Sequence, residues 1–498
     1  MKNTLKNRKT YWIVSTFFIT LLITTQTWRD TDVFWHLALG QQILQHGFPG
    51  HELFSFIPTS HHWMDQEWGF EVLVALFLSW GGYFLPSLFM GLVVSIALII
   101  AGETYEKRYE IHPAFITFSI IFASIIGGQY FGIRAQDFTV LGLALTLYIF
   151  LRWKETHGRI IWWFIPVMFI WVNVHAGFFL GLGFAFFLII TSQYRKEIMP
   201  YIILCIAFIV TLLNPFGFHI YTYVEHTFGN PLLVQYVAEW QSPNFHTGVM
   251  RIFEIYIAML FLVFLFSPQK PTKLELFFTI GFLWAALDAQ RNISLFLITT
   301  IPLMAKYIQF CWNAYGQNIS KIAKIVFHKS SHPQITRWVI TTAVIIATCM
   351  NLYNLAINEK NAIRKDYPVS AVSYVLQHYK GDHIYAQDTV SGYLVEKFNT
   401  SRMVFFYDEE EVFGQKAIND YLAIHLLWPN WYNILNKYHI QHAILPTNSP
   451  EYSAFLASGW HVDCYDRVNN SAVISAPGKP ITLKNIQIKN TTSTIKAC

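Results

Sequence analysis

Charge is scarce in this chain. Only 13% of its 498 residues are Asp, Glu, Lys or Arg, against about 25% in soluble domains, which excludes an ordinary soluble multidomain enzyme. Five cysteines are too few for a disulfide scaffold. No Gly-rich loop able to cradle a nucleotide phosphate occurs, and the net charge of +5 is not gathered into a patch for nucleic acid. What is present is apolar: 54% hydrophobic residues, with 17 Trp, 26 Tyr and 43 Phe, and a mean hydropathy of +0.35. Disorder is excluded by the same figures. Rings in such number suit a chain that meets bilayer interfaces repeatedly. The composition is that of an integral membrane protein.

Apolar runs stand at Tyr11–Thr27, Phe84–Ala101, Phe115–Tyr130, Phe138–Leu151, Ile160–Val174, Phe178–Thr191, Tyr201–Leu213, Ile252–Phe266, Leu274–Leu287, Ile293–Ile308 and Val339–Leu352. They predict about 11 transmembrane helices, several extended by flanking polar sequence because a span needs ~20 residues. The first run ends in Thr24-Thr25-Gln26-Thr27-Trp28 with no small-x-small cleavage site, the mark of an uncleaved anchor. Between Ile160 and Thr191 the apolar stretch is broken by Asn173-Val174-His175-Ala176-Gly177, and basic residues stand at both ends, so it reads as a hairpin.

Counting charge fixes the orientation. With the N-terminus cytoplasmic, inner segments hold 18 Lys and Arg and outer loops hold four, namely Arg29, Arg134, Arg251 and Arg291. Shifting the parity by one span destroys this bias. The reading is therefore a polytopic α-helical domain over 1–352 with outer loops 28–82 and 214–250. Residues 353–498 then lie outside, in the periplasm or beyond it if the membrane is a bacterial inner membrane. In the first outer loop, Val33, Phe34, Leu37, Ala38, Ile43 and Leu44 predict an interfacial helix stopped by Gly47-Phe48-Pro49-Gly50, and Trp68–Trp80 a second. Tyr221, Val224 and Phe228, then Leu232 and Tyr236, predict further interfacial helices.

The last 146 residues carry 13 basic and 13 acidic side chains, and helical and extended patterns alternate. Helices are expected at Ser370–Tyr379, Lys416–Leu427, Trp431–Lys437 and Tyr452–Ser458. Strands are expected at His383–Ala386, Met403–Tyr407, His442–Leu445, His461–Tyr465 and Ala472–Ser475. Together they make a small α/β domain. Of the cysteines, only Cys464 and Cys498 share an oxidising compartment under this topology.

Unusual polar residues gather at the outer span ends: Asp30 and Asp32 after the first span, Asp65-Gln66-Glu67 closing the first loop, Arg134 and Gln136, Asn173 and His175, Asn214, Glu239, and Arg291. Ionisable groups at membrane depth are costly and mark functional sites; wet loop ends are the bland alternative. Asn214-Pro215 also suits a helix stop, and His36, beside Trp35, suits interfacial packing. The outer histidines lack HxxxH or HxH spacing, which argues against zinc. Two acids two residues apart can activate a hydroxyl or hold a divalent cation. Nearby cations and imidazoles can receive a lipid phosphate, a leaving group that needs no strong general acid.

At these residues the sequence resembles the GT-C superfamily of polyprenyl-phosphate-sugar-dependent glycosyltransferases, and more closely its seldom-characterised bacterial membrane members. The stretches that carry the likeness are Asp30–Leu37, Gly47-Phe48-Pro49 with Phe54-Ser55, Trp63–Trp68, Arg134-Ala135-Gln136, Trp171–Phe178, Asn214–Gly217, Glu239–Ser242 and Arg291–Ser294. Ser391–Leu394 and Val404–Asp408 extend it into the C-terminal domain. The resemblance implies Asp32 or Asp30 as catalytic base and a polyprenyl-phosphate sugar as donor. The acceptor would be an extracytoplasmic glycan, lipid or protein. Arg134 and Arg291 are the inferred phosphate contacts. Trp35, His36, Asp65, Glu67, Gln136, Asn173, His175, Asn214 and Glu239 complete the expected substrate-binding set. A retaining mechanism with Asp65 or Glu67 as nucleophile is the stereochemical alternative. The functional alternatives are a flippase or transporter of lipid-linked saccharides and a non-catalytic scaffold.

Overall fold

A computed structural model describes residues 2–59, 63–229, 237–326, 333–478 and 497–498. The chain forms two compact units, Met1–Gln26 with Pro86–Ala356 and Thr27–Leu85 with Ile357–Cys498. The first outer loop and the C-terminal residues thus belong to one body. Leu232 and Tyr236, expected in an interfacial helix, lie outside the described residues, as does Lys329 of the charge count.

In the first unit a helix occupies each of the apolar runs: Lys2–Thr24, Phe84–Glu103, Pro113–Gly127, Gln136–Thr156, Phe164–Val172, Phe178–Ile190, Met199–Val210, Gly248–Phe266, Lys273–Asp288, Ile293–Val326 and Pro333–Asp366. By length and apolarity, four segments among the described residues suffice to cross a bilayer: Phe84–Tyr109, Gly248–Phe266, Gln290–Gly316 and Arg337–Asp366. Apolar helices such as Pro113–Gly127 and Met199–Val210 fall short of ~20 residues. The length criterion therefore accounts for four of the spans expected. The apolar stretch at 160–191 does break where the polar pentapeptide stands, between Phe164–Val172 and Phe178–Ile190.

Apolar helices in lipid gain little from burying one another, so polar contacts and close packing hold them. Ser15 and Thr341 hydroxyls meet at 2.7 Å, Thr16 and Thr117 at 2.7 Å, and Thr24 donates to the Gly91 carbonyl at 3.1 Å. Large side chains such as Ile255, Leu262, Phe277 and Trp284 are exposed, as expected of faces meant for lipid rather than water. Lys306, counted above as a cytoplasmic surface charge, is instead buried. Its ammonium sits 2.7 Å from Glu275 and over the Tyr109 and Tyr307 rings at 4.4 and 4.8 Å. A buried cation persists only when paired in this way.

The second unit pairs helices Val33–His46 and Trp68–Gly81 with a four-stranded sheet. Strands β1 (Ile384–Ala386), β2 (His442–Pro446), β3 (His461–Asp466) and β4 (Ser471–Ser475) run in the order β1-β2-β4-β3. β1 and β2 are parallel; the other pairs are antiparallel. Met403–Tyr407, expected as a strand, makes only single bridges from Val404 to Ile384 and to Ser55. It enters through Arg402 at positive φ, so its ladder contact is one residue long. The Ser55 bridge places part of the first outer loop at that sheet edge. Helix Asp388–Phe398 was not anticipated: Thr389, Ser391 and Gly392 weaken its helical signature. Cys464 and Cys498 are disulfide-bonded.

Candidate functional site

The residues singled out by sequence divide between the two units, and each group has its own chemistry.

In the second unit the helix Val33–His46 begins at Asp32, whose side chain makes no capping bond. Its carboxylate accepts the Thr31 hydroxyl at 3.4 Å, where an Asp at this position usually caps the helix. Asp30 accepts the Asp32 amide at 3.1 Å, and the Tyr367 hydroxyl donates to the Asp30 carbonyl at 3.1 Å. Gly392 explains how the helix Asp388–Phe398 reaches this turn: a Cβ there would stand 2.4 Å from the Thr31 carbonyl oxygen. Only glycine permits so close an approach.

One turn along the helix, His36 is buried and packs on Trp35, with ring centroids 3.6 Å apart, and it also meets two carboxylates. Its Nδ1 lies 2.8 Å from Glu71 Oε1 and its Nε2 lies 3.4 Å from Glu67 Oε2. Two carboxylates are satisfied together when both ring nitrogens carry protons. Gly40 lets the partner helix come near enough, for a Cβ there would overlap the Glu71 carbonyl. Glu71, missed by the sequence reading, is wholly buried. A lone acid within the apolar run Trp68–Trp80 was the signal. Asp65 Oδ2 and Glu71 Oε2 meet no N–H or hydroxyl donor among the described residues; the two acids interact with each other. Burial pushes Asp65 up to about 6, moderated by its bonds to Glu71 and to the Glu67 amide. Burial first, then the Asp65 charge, holds Glu71 well above the usual carboxylate range. Burial and the neighbouring acid thus both favour the protonated form of Glu71.

Glu52 was also missed. Buried, it accepts the Phe54 and Ser55 amides at 2.5 and 2.7 Å and the Tyr407 hydroxyl at 3.2 Å. Burial raises it to about 7 against the pull of those bonds. Trp35 is buried with its indole N–H unpartnered among the described residues.

In the first unit, Arg134, Gln136, His175, Glu239 and Arg291 assemble. Arg134 pairs with Glu239 at 2.5 Å, and the Gln136 amide donates to the Arg291 carbonyl at 2.9 Å. The Arg291 guanidinium lies over the Trp240 ring at 4.6 Å. Burial pushes Glu239 up, but the charge and hydrogen bond of Arg134, with the Arg291 charge, hold it below its ordinary value. His175 is no cation. Burial, then the charges of Arg291 and Arg134, lower it to about 3. Its tautomer follows from its neighbours. Trp171 Nε1 donates to the Thr139 hydroxyl at 3.0 Å, leaving that hydroxyl's proton for His175 Nδ1 at 2.7 Å. The Gly177 amide donates to the same nitrogen at 3.0 Å. The imidazole proton therefore resides on Nε2, a neutral donor beside two guanidiniums.

Two expected members have structural work instead. Asn214 spends its amide on the Thr211 and Gly217 carbonyls at 2.7 and 3.0 Å and its oxygen on the Phe216 amide. Asn173 donates to the Phe169 and Leu213 carbonyls at 2.8 and 3.3 Å. Both close helix ends. Among the described residues no three His, Cys, Asp or Glu side chains are placed to hold a metal ion.

No family model matches the chain, and no curated protein sequence matches it. Solved structures do. The apo crystal structure of the Archaeoglobus fulgidus oligosaccharyltransferase is similar at a TM-score of 0.53 and 12% identity, over 95% of this chain and 75% of that one. The archaeal oligosaccharyltransferase AglB from Archaeoglobus fulgidus, in complex with an inhibitory peptide and a dolichol-phosphate, matches at 0.44 and 11%, over 94% and 74%. At such identity the likeness is one of fold. This chain and the apo oligosaccharyltransferase share a fold over most of both lengths.

Proposed function

We propose that this protein is a membrane glycosyltransferase that moves a sugar from a polyprenyl-phosphate carrier to an extracytoplasmic glycan, lipid or protein. The observation that carries the reading is Asp32, a carboxylate at the start of the helix that follows the first apolar run, in a chain with an oligosaccharyltransferase fold. Asp32, with Asp30 behind it, removes the acceptor hydroxyl proton. The acceptor oxygen then bonds to the anomeric carbon while the bond from that carbon to the phosphate oxygen breaks. The electron pair leaves on the phosphate, and the anomeric centre inverts. In the first unit, Arg291 is a cation of the kind a departing lipid phosphate needs.

The orientation proposed is N-terminus in the cytoplasm and C-terminal residues outside, in a bacterial inner membrane. The charge bias supports it, as does the Cys464–Cys498 disulfide, since such bonds persist in oxidising compartments. Asp32→Asn and Asp30→Asn test the function in an assay of sugar transfer from the lipid carrier. Loss of a general base costs roughly 10²–10⁴-fold, so Asp32→Asn should fall at least that far with its melting temperature unchanged. Full activity in both variants removes the base and the mechanism with it.

A further inference from the structure

One short segment covers two arginines of the first unit, Arg134 and Arg291. Glu239 pairs with Arg134, and Trp240, its neighbour, stacks on Arg291. The segment is fastened in place: Gln290 donates through its side chain to the Ala238 carbonyl at 2.6 Å and through its amide to the Gln241 carbonyl at 2.9 Å. Ser242 donates to the Asp288 carbonyl at 3.3 Å. Tyr130, through its hydroxyl to Gln290 at 3.2 Å, braces the same turn.

The charges that remain decide what can bind. Glu239 is an ionised carboxylate held by Arg134, so that guanidinium is already matched. His175 is neutral. Asp137, on the Arg134 turn, accepts the Gly132 amide at 3.1 Å and adds no positive charge. Among the described residues Arg291 pairs with no carboxylate; its partner is an aromatic face, which leaves the guanidinium edges able to donate. One unmatched cation suits a single phosphate charge. A second charge would require Arg134, and Glu239 holds it.

Building on the glycosyltransferase reading, we infer that Glu239 is a specificity-determining residue, which by occupying Arg134 restricts the donor to a sugar linked through one phosphate and rejects a diphosphate-linked sugar. A monophosphate diester carries one negative charge and a diphosphate diester carries two. Unpaired buried or half-buried charge is what such a site rejects best. The carboxylate acts through Arg134 and touches no reacting atom.

The test uses full-length protein in nanodiscs and two probes, a short-chain polyprenyl phosphohexose and its diphosphate counterpart, with binding measured for each. Wild type should prefer the monophosphate by about tenfold or more, the discrimination of one close charge pair. Glu239→Gln should retain monophosphate binding and bring the diphosphate to within about twofold of it. Glu239→Asp, which keeps the charge, should keep the preference. Glu239 is about one third exposed at its side chain, so neither change disturbs a core. An unchanged preference in Glu239→Gln overturns the inference and leaves the function standing. Loss of monophosphate binding in that variant also overturns it, by making Glu239 a direct donor contact. Failure of wild type to bind either probe removes the glycosyltransferase reading itself.

Discussion

Gly392→Ala offers a test of how the Asp30–Asp32 turn, which carries the proposed base, is held. The added Cβ would lie 2.4 Å from the Thr31 carbonyl oxygen and 3.5 Å from Trp35 Cδ1. Ordinary contact begins near 3.4 Å, so the helix and the turn must part by about 1 Å, since neither atom is a flexible side-chain tip. Overpacking of this kind costs roughly 1–3 kcal/mol, offset by the ~1 kcal/mol that alanine gains over glycine in a helix. A fall of a few degrees in melting temperature is expected. Activity should suffer more. Thr31 stands between Asp30 and Asp32, and a displacement of ~1 Å at a reacting group can cost on the order of 10²-fold. Sugar transfer should therefore fall by ten- to a hundredfold in roughly fully folded protein. Gly281→Ala, whose Cβ meets nothing within 4 Å, is the control and should leave both readings unchanged. Wild-type turnover and melting in Gly392→Ala would refute the reasoning, because the close approach would then carry no constraint.

Two further outcomes follow from the same geometry. Glu52 has its pKa raised from 4.5 to about 7 by burial, so the folded protein binds its proton more tightly than the unfolded chain. Its contribution is full below the unfolded value and is lost as pH rises towards 7, on the order of 3 kcal/mol at most. Thermal melts from pH 4.5 to 8 should show stability falling with pH, and Glu52→Gln should flatten the curve; an unaltered slope would exonerate this group. Thr139→Val removes the hydroxyl that receives the Trp171 N–H and fixes the His175 tautomer. It should destabilise by about 1–3 kcal/mol and weaken lipid-phosphate binding, whereas affinity equal to wild type would show that the Nε2–H does not face the phosphate.

The sequence by itself determined the membrane class, the helical runs and most elements of the C-terminal residues, helix Asp388–Phe398 excepted, because periodicity and apolarity are local properties. Trp431–Lys437 stands as expected, and all strands but Met403–Tyr407 form within a residue or two. That segment failed because its place at a sheet edge is not encoded in its own residues. Asp30, Asp32, Arg134 and Arg291 were legible as polar residues at span ends. What each does was not. His36 became a bridge between carboxylates, and Asn173 and Asn214 became helix closures. His175 lost its charge, and Glu239 became the partner of Arg134. Protonation, pairing and desolvation depend on neighbours distant in the chain, so only the tertiary structure decided them.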